Sequence, residues 1–245
     1  MIIGFVGSGN MAAAMARGWA GEFEGMLFSD SGSGRAQQLA DELGGDAVSN
    51  AEIAQRADLV LLAVKPGKLD EVVPELSGVS RIVSALAVVP LERQQAAFPE
   101  AEVLRVMPNV GAEVRKGVLC IAGEANEEVR AKLAVLGHVV EIADADFDEA
   151  TAIMGCAPAY LALAVEALAD AGAAAGLDPE LARELVVETT AGTAELLRIR
   201  HPADVRKAVT SPGGSTEAGL EALDREGART AFEAAVEASL QRMRG

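Results

Sequence analysis

Two short stretches of this chain carry residue types arranged for chemistry. "IIGFVGSGNMAAAM" sets Gly7, Gly9 and Ala12 at the spacing G-x-G-x-x-A, after a β-branched run and ahead of a helical pattern. In that setting the first glycine permits a tight turn and the second lets backbone approach a pyrophosphate. The small third residue lets helix and strand pack closely. The N–H groups and dipole of the helix start, around Ser8, Asn10 and Met11, then favour a phosphate. The second stretch is "VTSPGGSTEAGL", residues 209–220, where Ser211, Gly214, Ser215 and Thr216 offer hydroxyls and amides between two helical segments. Ser211 is expected to cap the following helix, with Pro212 in its first turn and the dipole adding attraction for an anion. Ser, Pro and Gly also serve there as plain punctuation.

Other candidates are more ambiguous. Asp30 lies about 20 residues past the glycines, where a carboxylate bonds a ribose 2′-hydroxyl and favours NADH. Ser29, Ser31, Ser33 and Arg35 around it suit a 2′-phosphate equally, so the balance tips only slightly toward NADH over NADPH. Lys65-Pro66 follows the run "LVLLAV", at a strand end where α/β sheets bind ligands; a helix-starting proline and a solvated lysine explain it as well. No His, Cys or carboxylate group marks an acid–base pair. His138 and His201 read as structural, and Cys120 and Cys156 stand far apart in no metal-ligand spacing. Cys156 has no His nearby in sequence to make it a nucleophile.

The elements that must position these residues fall into two patterns. Up to about residue 140, apolar runs at 2–6, 26–29, 59–64, 81–86, 103–107, 117–122 and 139–142 read as strands. Helical patterns at 10–20, 35–43, 68–77, 91–98 and 126–137 separate them. Several runs are apolar on both faces, and the alternation predicts a doubly wound, mostly parallel α/β sheet. From about Asp144 only helices are expected: 147–175 with a break near Pro158, then 179–199, 203–209, 216–225 and 227–243. The boundary is set at 1–143 and 144–245. Residues 159–175 are apolar nearly all round and want burial on every side, which a homodimer of interleaved helices supplies.

Composition narrows the partners. Half the residues are hydrophobic but only 3% aromatic, so Ala, Val and Leu must fill the core. A net charge of −16 without a Lys/Arg cluster argues against nucleic acid and against an anionic membrane surface. Glu166, Asp170 and Gly172 interrupt the most apolar stretch, so no membrane-spanning run is expected. Two cysteines and a start without a basic leader segment predict a cytoplasmic protein that is not secreted.

Taken together, "GFVGSGNMA", "AVKPG", "RVMPN", "APAYLALAVEALADAGAAAGL" and "VTSPGGSTEAGLEALDREGARTAFEAAVEAS" resemble the pyrroline-5-carboxylate reductase family over nearly the whole chain. The resemblance implies an N-terminal Rossmann domain and an all-α C-terminal dimerisation domain, with dimers assembling further into rings. It implies NADH- or NADPH-dependent reduction of the cyclic imine 1-pyrroline-5-carboxylate to L-proline. It assigns Thr216 to the ring nitrogen, with Ser211, Gly214 and the amides of Ser215 and Thr216 holding the substrate. Ala63, Val64, Lys65 and Pro66 would line the nicotinamide half of the cofactor, faced by Ser84, Ala85, Leu86 and Ala87, with Met107, Pro108 and Asn109 beneath. The chain departs from the family at Val110-Gly111 and at Met154-Gly155-Cys156-Ala157, where two hydroxyls are lost and a thiol appears. A related imine or β-hydroxyacid reductase, or a non-catalytic NAD(P)-binding regulator, remain as alternatives. The absence of a lysine in "EATAIMGCAPAY" counts against the β-hydroxyacid enzyme.

Overall fold

The apolar runs of the first half form strands because β-branched and leucine side chains can pack on both faces of a covered sheet. The strands are β1 (Ile2–Val6), β2 (Gly25–Ser29), β3 (Asp46–Ala47), β4 (Leu59–Leu62), β5 (Arg81–Ser84), β6 (Glu102–Pro108), β7 (Gly117–Ala122) and β8 (Gly137–Glu141). They make one sheet in the order β3-β2-β1-β4-β5-β6-β7-β8. Only β6 and β7 pair antiparallel. The computed structural model describes residues 1–245 and divides into two units, Met1–Pro158 with Met243–Gly245, and Ala159–Arg242.

Helices cover both faces of the sheet. On one side lie α1 (Asn10–Gly18), α2 (Arg35–Leu43) and α6 (Glu127–Val135), burying Ala12, Met15, Leu39 and Leu133 against Ile3, Phe5, Leu61 and Leu119. Phe5 stacks on Phe28 at 4.8 Å and meets the edge of Trp19 at 6.2 Å. The indole N–H of Trp19 donates to Lys132 O at 2.7 Å, so this buried ring leaves no polar atom orphaned. On the other side, α3 (Asn50–Arg56) and α4 (Leu69–Val72) bury Ile53, Leu69 and Val72 against Val60, Leu62 and Ile82. The fifth helix, α5 (Leu91–Ala97), follows β5.

Several elements differ from the sequence expectation. β4 and β5 stop at Leu62 and Ser84, two residues early, because the apolar run continues into the core after pairing ends; Leu86 is wholly buried outside any strand. The helix expected over 68–77 is the single turn α4 flanked by 3₁₀ turns at 66–68 and 73–76, the second containing Pro74, which has no N–H to give. β3 and α3 were not expected at all. α3 starts at a full capping box: Ser49 Oγ accepts from Glu52 N–H, and Glu52 accepts from Ser49 N–H at 3.0 Å.

After β8 the chain is helical. A 3₁₀ turn at 144–146 leads into α7 (Phe147–Ala150), then α8 (Ala157–Ala174). Between the two, Thr151–Gly155 widens to i→i+5 bonding, with Cys156 N–H reaching Thr151 O at 3.2 Å. The expected break near Pro158 thus takes the form of a bulge rather than an end. Pro158 has no N–H for the carbonyl four residues back, Met154 O. The Asn109 side-chain amide donates to that carbonyl instead, at 3.1 Å.

The expectation of no membrane-length segment is corrected. Asp144–Ala174 runs 31 residues and holds an 18-residue window of mean hydropathy 1.7, long and apolar enough to cross a bilayer by length and composition. Glu166, Asp170 and Gly172 do not stop this helix.

The second unit contains most of α8, then α9 (Pro179–Leu197), α10 (Pro202–Val209), α11 (Ser215–Arg225) and most of α12 (Ala228–Arg244). Asp178 caps α9 by accepting from Glu180 and Leu181 N–H at 3.1 Å each, with Pro179 in the first turn. His201 caps α10 through Nδ1. Tyr160 OH bonds Ser239 Oγ at 2.6 Å, joining α8 to α12. Ala182 is the one buried hydrophobic residue of this unit.

Candidate functional site

The first candidate site grows from the ends of the central strands. β1 is flanked by β2 and β4, so the chain leaves it toward opposite sheet edges, and α/β sheets bind ligands at such a switch point. Gly7 makes the turn at φ 97°, and a Cβ there would stand 2.7 Å from Ala63 O. This glycine is therefore required both by conformation and by the close approach of the chain after β4. Gly7 N–H and Ser8 Oγ both donate to Ser29 O, at 3.2 and 2.8 Å, and Ala63 N–H donates to Val6 O at 2.9 Å. The turn is thus pinned between β2 and β4.

Gly9 differs from Gly7. A Cβ on it would meet nothing within 4 Å, so its backbone faces open space that a bound group can enter. It is also the N-cap of α1, with no side chain satisfying the helix start. Ala13 N–H is the first to find an intrahelical acceptor, Gly9 O at 2.9 Å; Asn10, Met11 and Ala12 N–H are left for a ligand. Ala12 is buried and allows α1 to lie close on β1. A cavity of about 390 Å³ opens beside Ser8, Gly9 and Asn10 and reaches Arg35 and Gln38. These features fit a dinucleotide.

Asp30 stands at the end of β2 with both carboxylate oxygens engaged. Oδ1 accepts from Gly32 and Ser33 N–H at 2.7 and 3.1 Å, and Oδ2 from Ser33 Oγ and Ala36 N–H at 2.9 and 2.8 Å. Burial would push this carboxyl up, but the donors from Ala36, Ser33 and Gly32 together hold it below the usual carboxylate range. Asp30 organises the loop 30–36, from which Arg35 is exposed.

After β4, Ala63, Val64 and Pro66 are half-buried and Lys65 is exposed, its carbonyl accepting Lys68 N–H at 2.8 Å. After β5, Ala85 N–H bonds Leu62 O at 2.9 Å, which keeps Ala85 and Ala87 beside the β4 loop; the Leu86 side chain turns into the core. Asn109, after β6, is heavily committed. Its Oδ1 accepts Gly111 and Val118 N–H at 3.2 and 3.1 Å while Nδ2 serves Met154 O.

The second candidate site lies in the helical unit. The expected cap by Ser211 is corrected: the N-cap of α11 is Gly214, and no side chain caps it. Ser211–Gly214 form a β-turn, Gly214 N–H donating to Ser211 O at 2.9 Å, with Pro212 second and Gly213 third at φ 70°. Proline followed by a positive-φ glycine is the residue order a type II turn requires. A Cβ on Gly214 would lie 2.9 Å from the backbone oxygen of Ser211, so the turn favours glycine there. Ser215 and Thr216 begin α11, exposed, and Ala218 N–H is the first to bond back, to Gly214 O at 3.2 Å. The amides of Ser215, Thr216 and Glu217 therefore start the helix without intrahelical acceptors, next to the Thr216 hydroxyl. Sequence reading missed Glu217, whose Oε2 accepts Gly213 N–H at 2.6 Å and fixes the turn. Its place three residues after the cap was the available signal.

Comparison with known proteins covers both sites. The family model for pyrroline-5-carboxylate reductase dimerisation matches residues 144–245, and that for NADP oxidoreductase, coenzyme F420-dependent, matches residues 2–88. A pyrroline-5-carboxylate reductase from Synechocystis is 41% identical over 79% of this chain and 76% of its own length. One from Pisum sativum is 34% identical over 99% of this chain and 94% of its own. Among solved structures, 1-pyrroline-5-carboxylate reductase from Streptococcus pyogenes superimposes with a TM-score of 0.89 at 31% identity, covering 99% of this chain and 98% of that one. The Plasmodium falciparum pyrroline carboxylate reductase with NADP bound gives 0.86 at 28% identity, over 99% and 97%.

Proposed function

The chain belongs to the pyrroline-5-carboxylate reductase family, and on that premise we propose that it reduces 1-pyrroline-5-carboxylate to L-proline with NADH or NADPH. The observation that carries this reading is agreement from end to end, with the same enzyme named for relatives that span both the nucleotide-binding and the helical residues.

Residues 1–143 bind the dinucleotide and residues 144–245 form the helical dimerisation and substrate domain. Gly7, Ser8, Gly9, Asn10, Met11 and Ala12 hold the pyrophosphate through the α1 start. The 30–36 loop, organised by Asp30, receives the adenosine ribose. Ala63–Pro66, Ala85 and Ala87 contact the nicotinamide half, while Leu86, predicted beside them, anchors their loop in the core and Asn109 braces the turn below. The bound cofactor supplies the hydride.

Ser211 and Gly214 shape the substrate loop, and the free amides of Ser215 and Thr216 hold the carboxylate, with the dipole of α11 adding to the attraction. A local anion site of this kind needs no basic patch, consistent with the net charge of −16. The Thr216 hydroxyl orients the ring nitrogen, as hydrogen-bond partner or proton relay, while the amine forms. The exposed leucines of the helical unit are covered by a second copy of the chain, and the dimer works in the cytoplasm.

Absorbance of NADH and NADPH with pyrroline-5-carboxylate tests the reading. Wild type consumes cofactor, and Thr216→Ala loses at least about tenfold in kcat/KM, roughly 1.4 kcal/mol of transition-state stabilisation. A folded wild type that binds cofactor without turnover overturns the function; unchanged Thr216→Ala removes only the role of that hydroxyl.

A further inference from the structure

The loop Ala85–Pro90, between β5 and α5, contains a residue in an unfavourable conformation. Val88 has φ 55°, in the left-handed region, and is 41% exposed. A β-branched residue stays there only where its surroundings over-determine the backbone.

Two groups supply that constraint at the far end of the loop. Gln94 of α5, fully buried, donates Nε2 to Val89 O at 2.6 Å. Asp144 accepts Leu91 N–H on Oδ2 at 3.0 Å, and its Oδ1 is held by Arg105 Nη1 of β6 at 2.7 Å. Arg105 is 3% exposed, and its guanidinium lies 4.1 Å from the centre of the Phe147 ring. Both buried side chains keep a polar atom without a partner, Gln94 Oε1 and Arg105 Nε, as does Ser84 Oγ, whose residue is the register neighbour of Arg105. Replacing enclosed polar groups of this kind by apolar ones of similar shape is often neutral or stabilising. Stability alone therefore does not account for placing an arginine and a glutamine there.

We propose that Gln94, Arg105 and Asp144 are positioning residues for the reduction. They form a polar clamp that fixes Val89 and Leu91 and so holds Ala85 and Ala87 against the nicotinamide end of the cofactor. The proposal rests on the reading above in one respect, that Ala85 and Ala87 face the nicotinamide.

The test uses the full-length protein and Gln94→Leu, which keeps the volume and loses the donor to Val89 O. Calorimetry compares each reduced cofactor with its nicotinamide-free counterpart, ADP-ribose or 2′-phospho-ADP-ribose. The variant is expected to bind the reduced cofactor about tenfold more weakly and the counterpart unchanged. Equal losses for both ligands, or no loss for either, overturn the clamp. Arg105→Met and Gln94→Met give the same comparison if Gln94→Leu does not fold. The outcome is independent of the substrate assignment, which fails instead when wild type binds cofactor and does not turn over pyrroline-5-carboxylate.

Discussion

The two units bury their side chains to very different extents. In the sheet unit Ile3, Phe5, Trp19, Phe28, Leu61 and Ile82 are all but inaccessible, and helices cover both faces. In the helical unit Leu161, Leu163 and Leu168 are 58%, 64% and 60% exposed, although α8 is among the most apolar segments of the chain. Each helix there is locally well specified, with caps at Asp178 and His201 and a closed turn before α11. Local specification makes helices; it does not supply a core, which needs apolar surface from several directions. One unit holds its own core; the other leaves its apolar surface open, as the proposed dimer requires.

The strongest way to break that contrast is to charge the exposed face. Leu161→Glu with Leu168→Glu, on one face of α8 at i and i+7, is expected to abolish the dimer, read by light scattering, and to remove much of the helical circular dichroism. A wild type that is a monodisperse monomer with full helicity would remove the contrast. Next in size, Phe5→Ala should cost about 3–5 kcal/mol in urea unfolding, because it empties a stacked aromatic site in the sheet unit. Diluting the wild type sharpens the point: the helical transition should move to lower temperature, since dissociation is linked to its unfolding, while the sheet transition stays put.

The smallest expected effect concerns Asp30. Its folded carboxyl lies below the usual range, so the folded state binds fewer protons than the unfolded one near the transition. That contribution is complete above the unfolded value, about 4, and is lost as pH falls through the folded one. Asp30→Asn should therefore lower the melting temperature at pH 7, and the gap to wild type should close on acidification below about pH 4. A gap that persists in acid would mean that the carboxylate charge does not hold the 30–36 loop.

The sequence was legible where a pattern repeats over enough residues. β1, β7 and α2 lie where hydrophobic periodicity puts them, as do the starts and ends of the last four helices to within two residues. α3 and β3 were missed because seven and two residues are too few to show a period, although the Ser49–Glu52 box was on display. The candidate site was legible in part. The glycine turn and the Ser-Pro-Gly-Gly-Ser-Thr loop declare themselves by spacing, whereas the partners of Asp30, Asn109 and Glu217 depend on how the chain folds around them. Arg105 and Gln94 gave no local signal, because nothing in a strand or helix pattern marks which polar residue will be enclosed.

The carbonyl of Met154 links two distant positions into one heritable unit. Pro158 leaves that oxygen unclaimed, and Asn109 claims it. Any other residue at 158 would bring a rival donor to the same acceptor. A residue at 109 without a side-chain donor would strand it. Mutational drift at one position is therefore judged by what stands at the other, so the two should change together or not at all.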